Sequence, residues 1–403
     1  MQGLMLGVEK EAEVEDNRSP LERFRRPPKK PLSVTDIVSP AWCELQYWYS
    51  LTKYGKIKRT PAMKQGSRVH QDLEAQVYDV VPVAVETRED VWGLRIWNVV
   101  QGLRTLRATG LTRELEIWGI LDGEVINGVI DELSYICPDP DLELGLEASK
   151  QDPVADRPPN QLSIEDFFVQ RSAGINATLT NAAPPPKIYL TDIKTRTANT
   201  LPRGAALKTV QLQLQLYHHL LSALAHGTVP RSAIFSRYGL DSTAPFSTAM
   251  TDALTALEST STDNTPSSTA TPSASRPEPH QPNTLISLWD LMQAEFAQTL
   301  CAGPASSPSA TTLSPLLRAE FRAQADGAVL GSRVFVADDE ALARYVGEAL
   351  RWWRGERAPR GVDVEDAFKC RVCEFAEGCE WRVGKVEEAV RRSRMRWRKK
   401  ATE

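Results

Sequence analysis

The segment that most limits what this chain can fold into is Lys369–Trp381, KCRVCEFAEGCEW, where three cysteines stand in the spacing C-x2-C-x5-C. A four-thiolate site needs one more ligand, and the remaining cysteines, Cys43, Cys137 and Cys301, all lie far upstream. Cys137 sits in YICPDP, just past a strand-like run, and Cys301 precedes AGPASSPSATTLSP, a loop-like stretch unsuited to holding a ligand rigidly. Cys43 lies in SVTDIVSPAWCELQYWYSL, where Ser39 and Pro40 read as an N-cap and first helical residue and the aromatic residues would bury the first turns. The expected set is therefore Cys43, Cys370, Cys373 and Cys379. Such a site ties the two ends of the folded chain together, and its loss is expected to loosen the whole domain. Zinc and a [4Fe-4S] cluster both accept four cysteines. A zinc module usually offers two compact C-x2-C pairs, so one distant cysteine plus a tight triplet favours the cluster and leaves zinc open.

Compartment bears on the thiols. No run of eighteen apolar residues is present to span a bilayer, and the start lacks the charged, apolar and small-residue regions of a secretory signal. A chain that stays inside the cell uses cysteines as ligands or buried apolar residues more than as disulfides. With 403 residues, 41% of them apolar, it can bury a full core and still carry insertions. From Ser259 to Asn283, 16 of 25 residues are Ser, Thr or Pro, a composition too polar to bury and too rich in proline for a helix. Cysteine ligands on both sides make this an insertion within one domain. The expected organisation is a disordered segment over 1–30, a single domain over 31–385 with insertions at about 139–186 and 241–283, and a basic tail over 386–403.

A second constellation occupies the middle of the chain. GEVINGVIDELSYI alternates as a strand and carries Asp131 after the apolar run GVI; a later strand reads KIYLTDIKTRT. Alternation is expected to put Asp192 and Lys194 on one face, which Ile193 and Leu190 do not share. Asp131, Asp192 and Lys194 then meet at a sheet edge, two carboxylates offering oxygen ligands to Mg2+ beside an ammonium, an arrangement suited to phosphodiester hydrolysis. The apolar helix TVQLQLQLYHHLLSAL places Gln213 and Tyr217 four apart on one face. Upstream, MKQGSRVHQDLEAQV reads as a helix entered at Gly66 with His70 and Glu74 four apart, and a neutral His70 imidazole is a candidate third ligand. ALARYVGEALRWWRGERAP reads as an amphipathic helix with Trp352 and Trp353 in the core.

The order Cys43, GSRVH with His70, GVIDEL with Asp131, TDIKTR with Asp192 and Lys194, QLQLY with Gln213 and Tyr217, then the cysteine triplet, resembles PD-(D/E)XK nucleases of the RecB type with an iron-sulfur cluster. It is most similar to the eukaryotic exonuclease V family, over about Leu32 to Arg382. The resemblance implies an α/β, restriction-endonuclease-like core, a central mixed sheet flanked by helices, with a [4Fe-4S] cluster joining the N- and C-terminal segments. It also implies a Mg2+-dependent exonuclease on single-stranded DNA, acting 5′ to 3′ in DNA repair or genome maintenance, with Mn2+ as a substitute ion. His70, Asp131 and Asp192 are then the metal ligands, Lys194 the catalytic lysine, and Gln213 and Tyr217 the helix motif beside them. Asp192 stands where many relatives carry Glu, and the hairpin between the catalytic strands gives way to a long segment from Asp139 to Pro186.

The net charge of −4 requires phosphate binding to be local, with RFRRPPKKPL and RRSRMRWRKK as the basic runs. No G-x4-G-K-[ST] loop is present, so cleavage is expected without ATP. The expected partners are single-stranded DNA and single-strand-binding proteins, with no membrane, for a monomer. The acidic opening MQGLMLGVEKEAEVEDN is unlike a transit peptide, which favours the nucleus, with the mitochondrion as the alternative. A competing reading is a non-catalytic, zinc-stabilised nucleic-acid-binding protein whose carboxylates form a charged strand face.

Overall fold

A computed structural model describes residues 16–56, 59–78, 81–151, 186–262, 282–301 and 311–402. Six strands, β1 (Leu32–Ser33), β2 (Leu111–Leu121), β3 (Glu124–Ser134), β4 (Ile188–Arg196), β5 (Leu313–Ala323) and β6 (Val329–Val336), form one mixed sheet. The helices around it are α1 (Pro20–Phe24), α2 (Val34–Val38), α3 (Glu44–Tyr54), α4 (Pro61–Glu74), α5 (Arg88–Thr109) and α6 (Pro140–Gln151). They continue with α7 (Ala205–Ala225), α8 (Arg231–Tyr238), α9 (Thr248–Thr262), α10 (Leu285–Leu300), α11 (Asp339–Trp353) and α12 (Glu380–Thr402). The expected α/β class with a mixed, helix-flanked sheet is what the chain adopts.

The centre of the sheet is β3, and the way its edges are shared positions everything else. Hairpin partner β2 runs antiparallel along its whole length, Leu111 to Leu121 against Ser134 to Glu124. A strand has two edges, so β1 and β4 must share the other. Parallel β1 takes one end, through Ile126 and Asn127, and antiparallel β4 takes the opposite end, through Glu132 to Ser134. Among the described residues, 128–131 on that edge have no strand partner, and the sheet forks there. Beyond the fork β4 continues parallel to β5, and β5 antiparallel to β6.

Helix α7 packs on one face of the sheet because Val210, Leu214, Tyr217, Leu221 and Leu224 recur at helical spacing and are all buried. α5, which begins at a Thr87–Asp90 capping box and ends at left-handed Gly110, lies beside it on β2, and α10 covers both. Trp352 and Trp353 of α11 are buried in this core, as their spacing predicts. On the other face α4 packs Val69 and Leu73 against Ile193.

Several expectations change. α4 begins at Pro61 behind the Thr60 cap, five residues before Gly66; proline at the first helical position supplied the start signal. Ser39–Ala41 is a short 3-10 turn and Cys43 is the extended N-cap residue of α3, so Cys43 precedes that helix. Leu190 shares the face of Asp192 and Lys194, in register with Leu133, since residues two apart on a strand point the same way; Ile193 alone of the pair faces away. Residues 16–30 are ordered, because Arg25 pairs with the buried Asp36 of α2 and Phe24 packs in the core. Part of the second insertion is also ordered: α9 buries Met250 and Leu254. Residues 386–402 continue α12, and its side chains from Val386 to Arg398 are exposed except Glu388. Residues 1–15, 152–185 and 263–281 lie outside the described residues.

Candidate active site

The fork between β3 and β4 gathers most of the polar residues singled out by sequence. The ladder ends at Glu132 and Thr191, so Asp131 and Asp192 are the first residues past it. Ile193 still points its N–H and C=O toward β3, and with no strand to meet them both are taken by side chains. Its N–H donates to Asp131 Oδ2 at 2.6 Å, and its C=O accepts from His70 Nε2 at 3.1 Å. Backbone groups buried in a sheet must find partners, and here the partners are two of the expected ligands.

His70 reaches the fork because α4 approaches β4 closely at Gly66, where a Cβ would lie 2.8 Å from Thr195 Oγ1. A carbonyl only accepts, so Nε2 carries the hydrogen given to Ile193. Nδ1 then faces Glu114 Oε1 at 2.9 Å and Asp131 Oδ1 at 3.8 Å. A backbone carbonyl that holds one ring nitrogen while the other faces carboxylates is the usual support for a metal-binding imidazole. From the other face, Gln213 Nε2 donates to Tyr217 Oη at 3.0 Å, and the Tyr217 ring covers Gly128 in the unpaired stretch, 2.7 Å from where a Cβ would sit. Glu74 is on α4 but outside this group.

Sequence reasoning missed Glu114. Its backbone has φ of 51° within β2, a left-handed conformation that costs a non-glycine residue about 1–3 kcal/mol. The flanking register, Arg113 with Glu132 and Leu115 with Ile130, sets it opposite Asp131. His70, Glu114 and Asp131 bring one ligand atom each to within 4.8 Å of one another. Asp192 stands beside this trio, its Oδ1 accepting from Lys194 Nζ at 2.7 Å. Nothing in TRELEIWG announces Glu114, since charged residues alternate along many exposed strands.

The electrostatics fit a cation. Asp192 is fully buried and its Oδ2 has no hydrogen-bond partner among the described residues, a costly state for a carboxylate oxygen. Burial, then the charge of Asp192, raises the Asp131 carboxyl to about 7. Burial disfavours charge on His70 and Lys194, yet the surrounding carboxylates outweigh it and raise both, Glu114 first for His70 and Asp192 first for Lys194. Burial, Asp192 and Asp131 together hold the Tyr217 phenol neutral, well above its ordinary range. Three carboxylates facing one imidazole and one ammonium are what a divalent ion would balance.

The four expected cysteines line one pocket, where Cys43 at the start of α3 meets Cys370, Cys373 and Cys379. Protein contacts close it as well. Glu44 forms a bidentate pair with Arg357 at 2.6 and 2.8 Å, Leu45 N–H donates to the Arg360 carbonyl at 3.1 Å, and buried Lys369 donates to the Trp42 carbonyl at 3.0 Å. Burial pushes the Cys43 thiol up and outweighs the Gln46 backbone N–H that favours its charged form, and the thiols of Cys373, Cys379 and Cys370 add to the rise. Cys137 and Cys301 are not among the residues lining that pocket.

A family model described as exonuclease V, a 5′ deoxyribonuclease, matches residues 19–382. The chain belongs to the exonuclease V family. Exonuclease V of Danio rerio is 27% identical over 380 residues, covering 93% of this chain and 76% of that protein. The mitochondrial exonuclease V of Candida glabrata is 25% identical over 229 residues and that of Debaryomyces hansenii 22% over 266, each match covering 48% of this chain and 42% of the relative. Membership makes the chain a DNA exonuclease and disfavours the non-catalytic reading. No helix among the described residues is long and apolar enough to cross a membrane.

Proposed function

We propose that this exonuclease V family member is a divalent-metal-dependent hydrolase of single-stranded DNA, built on a PD-(D/E)XK core and acting from 5′ toward 3′. The observation that carries the proposal is the buried Oδ2 of Asp192, without a partner among the described residues, in a fork that also gathers Asp131, His70 and Lys194. Asp131, Asp192 and His70 are the proposed ligands of Mg2+ or Mn2+, with Glu114 a further carboxylate on His70. The ion would supply Lewis-acid stabilisation of phosphate charge and a more acidic water.

The chain's own groups do the rest. Ile193 holds His70 Nε2–H and Asp131 Oδ2, so Nδ1 and Oδ1 keep their direction. Asp192 and Asp131 keep the Lys194 ammonium charged, which suits it to orient the attacking water and donate to a phosphate oxygen, as general electrostatic catalysis requires. Gln213 fixes the Tyr217 hydroxyl beside the carboxylates.

Cys43, Cys370, Cys373 and Cys379 are the proposed ligands of a [4Fe-4S] cluster. The pocket that the four cysteines share, with one distant cysteine beside a tight triplet, supports this assignment. A monomer acting in DNA repair or genome maintenance, mitochondrial DNA included, fits the family. The names of the two yeast relatives support a mitochondrial location, the alternative to the nucleus.

The deciding experiment follows product release from single-stranded DNA labelled separately at each end, in Mg2+ or EDTA, for wild type and Asp192→Ala. Mg2+-dependent release of short fragments from the 5′ label, lost in the variant, is the expected result. Equal rates in wild type and Asp192→Ala would refute the site.

A further inference from the structure

A groove on the sheet face that carries Asp192 is lined by Arg196, Arg203 and Arg333. Strand register places them relative to the fork. Asp192 pairs with Ala319 of β5 and Ala319 with Arg333 of β6, so Arg333 lies in the same cross-strand row as Asp192, with only a buried methyl between. Arg196 follows Lys194 by two residues on β4, about 6.6 Å along the strand and on the same face, its guanidinium 6.0 Å from the Phe321 ring centroid. Arg203 comes from the bend before α7, where Leu201 packs against Gly331 of β6. The first turn of α7 carries no side-chain cap and joins the groove through Ala206.

These arginines differ from those across the sheet. On the opposite face Arg318 bonds Glu320 at 2.6 Å and lies 3.6 Å from Glu132, and Arg322 bonds Glu320 at 2.7 Å. Among the described residues Arg196, Arg203 and Arg333 have no carboxylate partner, and Arg196 Nε is buried with no hydrogen-bond acceptor. Three like charges around one groove, one with an orphaned donor, are complementary to an anion with several oxygens, and the planar fork of arginine favours phosphate.

We propose that Arg196, Arg203 and Arg333 form a second phosphate subsite, which grips a backbone phosphodiester of the DNA strand next to the one being cut. It rests on the reading of Asp131, Asp192 and Lys194 as the cleavage centre. The subsite sets how far the strand advances past the fork and so which linkage meets Lys194.

The test has two arms, both on the full chain. In EDTA, where nothing is cleaved, fluorescence anisotropy measures single-stranded DNA binding against salt for wild type, Arg203→Gln, Arg333→Gln and the double variant. Each lost phosphate contact lowers the slope of log K against log salt by about 0.7, and Arg203→Lys retains more affinity than Arg203→Gln. An unchanged slope in the double variant overturns the proposal; Arg203 is exposed, so its variants answer even if Arg333→Gln misfolds. In Mg2+, substrates with one neutral methylphosphonate linkage are cut. Wild type slows about tenfold or more when the neutral linkage adjoins the cut, and the double variant loses that sensitivity. Persistence of the penalty in the double variant, or an effect seen only with a terminal 5′-phosphate and not a 5′-hydroxyl, overturns the backbone assignment. If wild type cuts nothing, the nuclease reading fails while the binding arm still decides the groove.

Discussion

Ile193 has an apolar side chain, yet its backbone organises the site, because the strand that would have paired with it has turned away. The consequences are measurable one residue at a time. Asp192→Asn and Lys194→Ala should lower cleavage by about 10³-fold or more, the scale of several kcal/mol of lost charge stabilisation, while circular dichroism and DNA binding stay near wild type. Glu114→Gln should weaken divalent-ion binding about 10- to 100-fold, as loss of a carboxylate supporting a ligand histidine does; a metal titration read by tryptophan fluorescence checks it without turnover. Away from the site, Asp36 accepts from Arg25, the Tyr47 hydroxyl and Ser33. Burial opposes its charge, but these donors outweigh burial and depress its pKa. A depressed folded pKa gives stability that is full above the unfolded value of about 3.9 and lost as pH falls through the lower folded value. Urea midpoints between pH 2 and 5 should therefore fall less steeply in Asp36→Asn than in wild type. Asp131, Asp192 and Lys194 were legible because acids and a lysine interrupt apolar strands at fixed spacing. Glu114 was not, because its place depends on a left-handed backbone angle that its own chemistry does not favour.

At the scale of the element, α4 is the part whose position the site depends on most. It carries His70, the proposed ligand, and it approaches β4 closely because residue 66 lacks a side chain. Gly66→Ala should gain about 1 kcal/mol of helix propensity and lose about 1–3 kcal/mol to overpacking against Thr195. The double variant Gly66→Ala, Thr195→Ala removes the clash and keeps the propensity, so its urea midpoint should exceed that of Gly66→Ala. Cleavage should follow the same order, since His70 lies one turn further along the helix. A double variant no better than Gly66→Ala would place the strain elsewhere. The helix itself was readable from its periodicity. Its start was misread by five residues, because Gly66 looks like an entry point and is a point of close packing.

For the whole molecule, the sheet, the long core helices and the closure of the two chain ends form one unit. The salt bridge of Glu44 with Arg357 and the bond of Lys369 to Trp42 join the same segments as the four cysteines. Cys43→Ala or Cys373→Ala should abolish the visible absorbance of anaerobically purified protein and lower the thermal midpoint more than Cys301→Ala, whose thiol lies at the far end of α10. The sequence by itself determined that strands alternate with amphipathic helices, that Cys43 stands far in the chain from a tight triplet of cysteines, and that two acids and a lysine fall on strands, because side-chain type and spacing are local properties. Only the tertiary structure decided that β3 lends one edge to two strands. The resulting gap exposes Ile193 to Asp131 and His70, sets Glu114 opposite Asp131 and leaves Arg333 in the row of Asp192. Those relations join residues far apart in the chain through strand pairing, and pairing is settled by how the whole core packs.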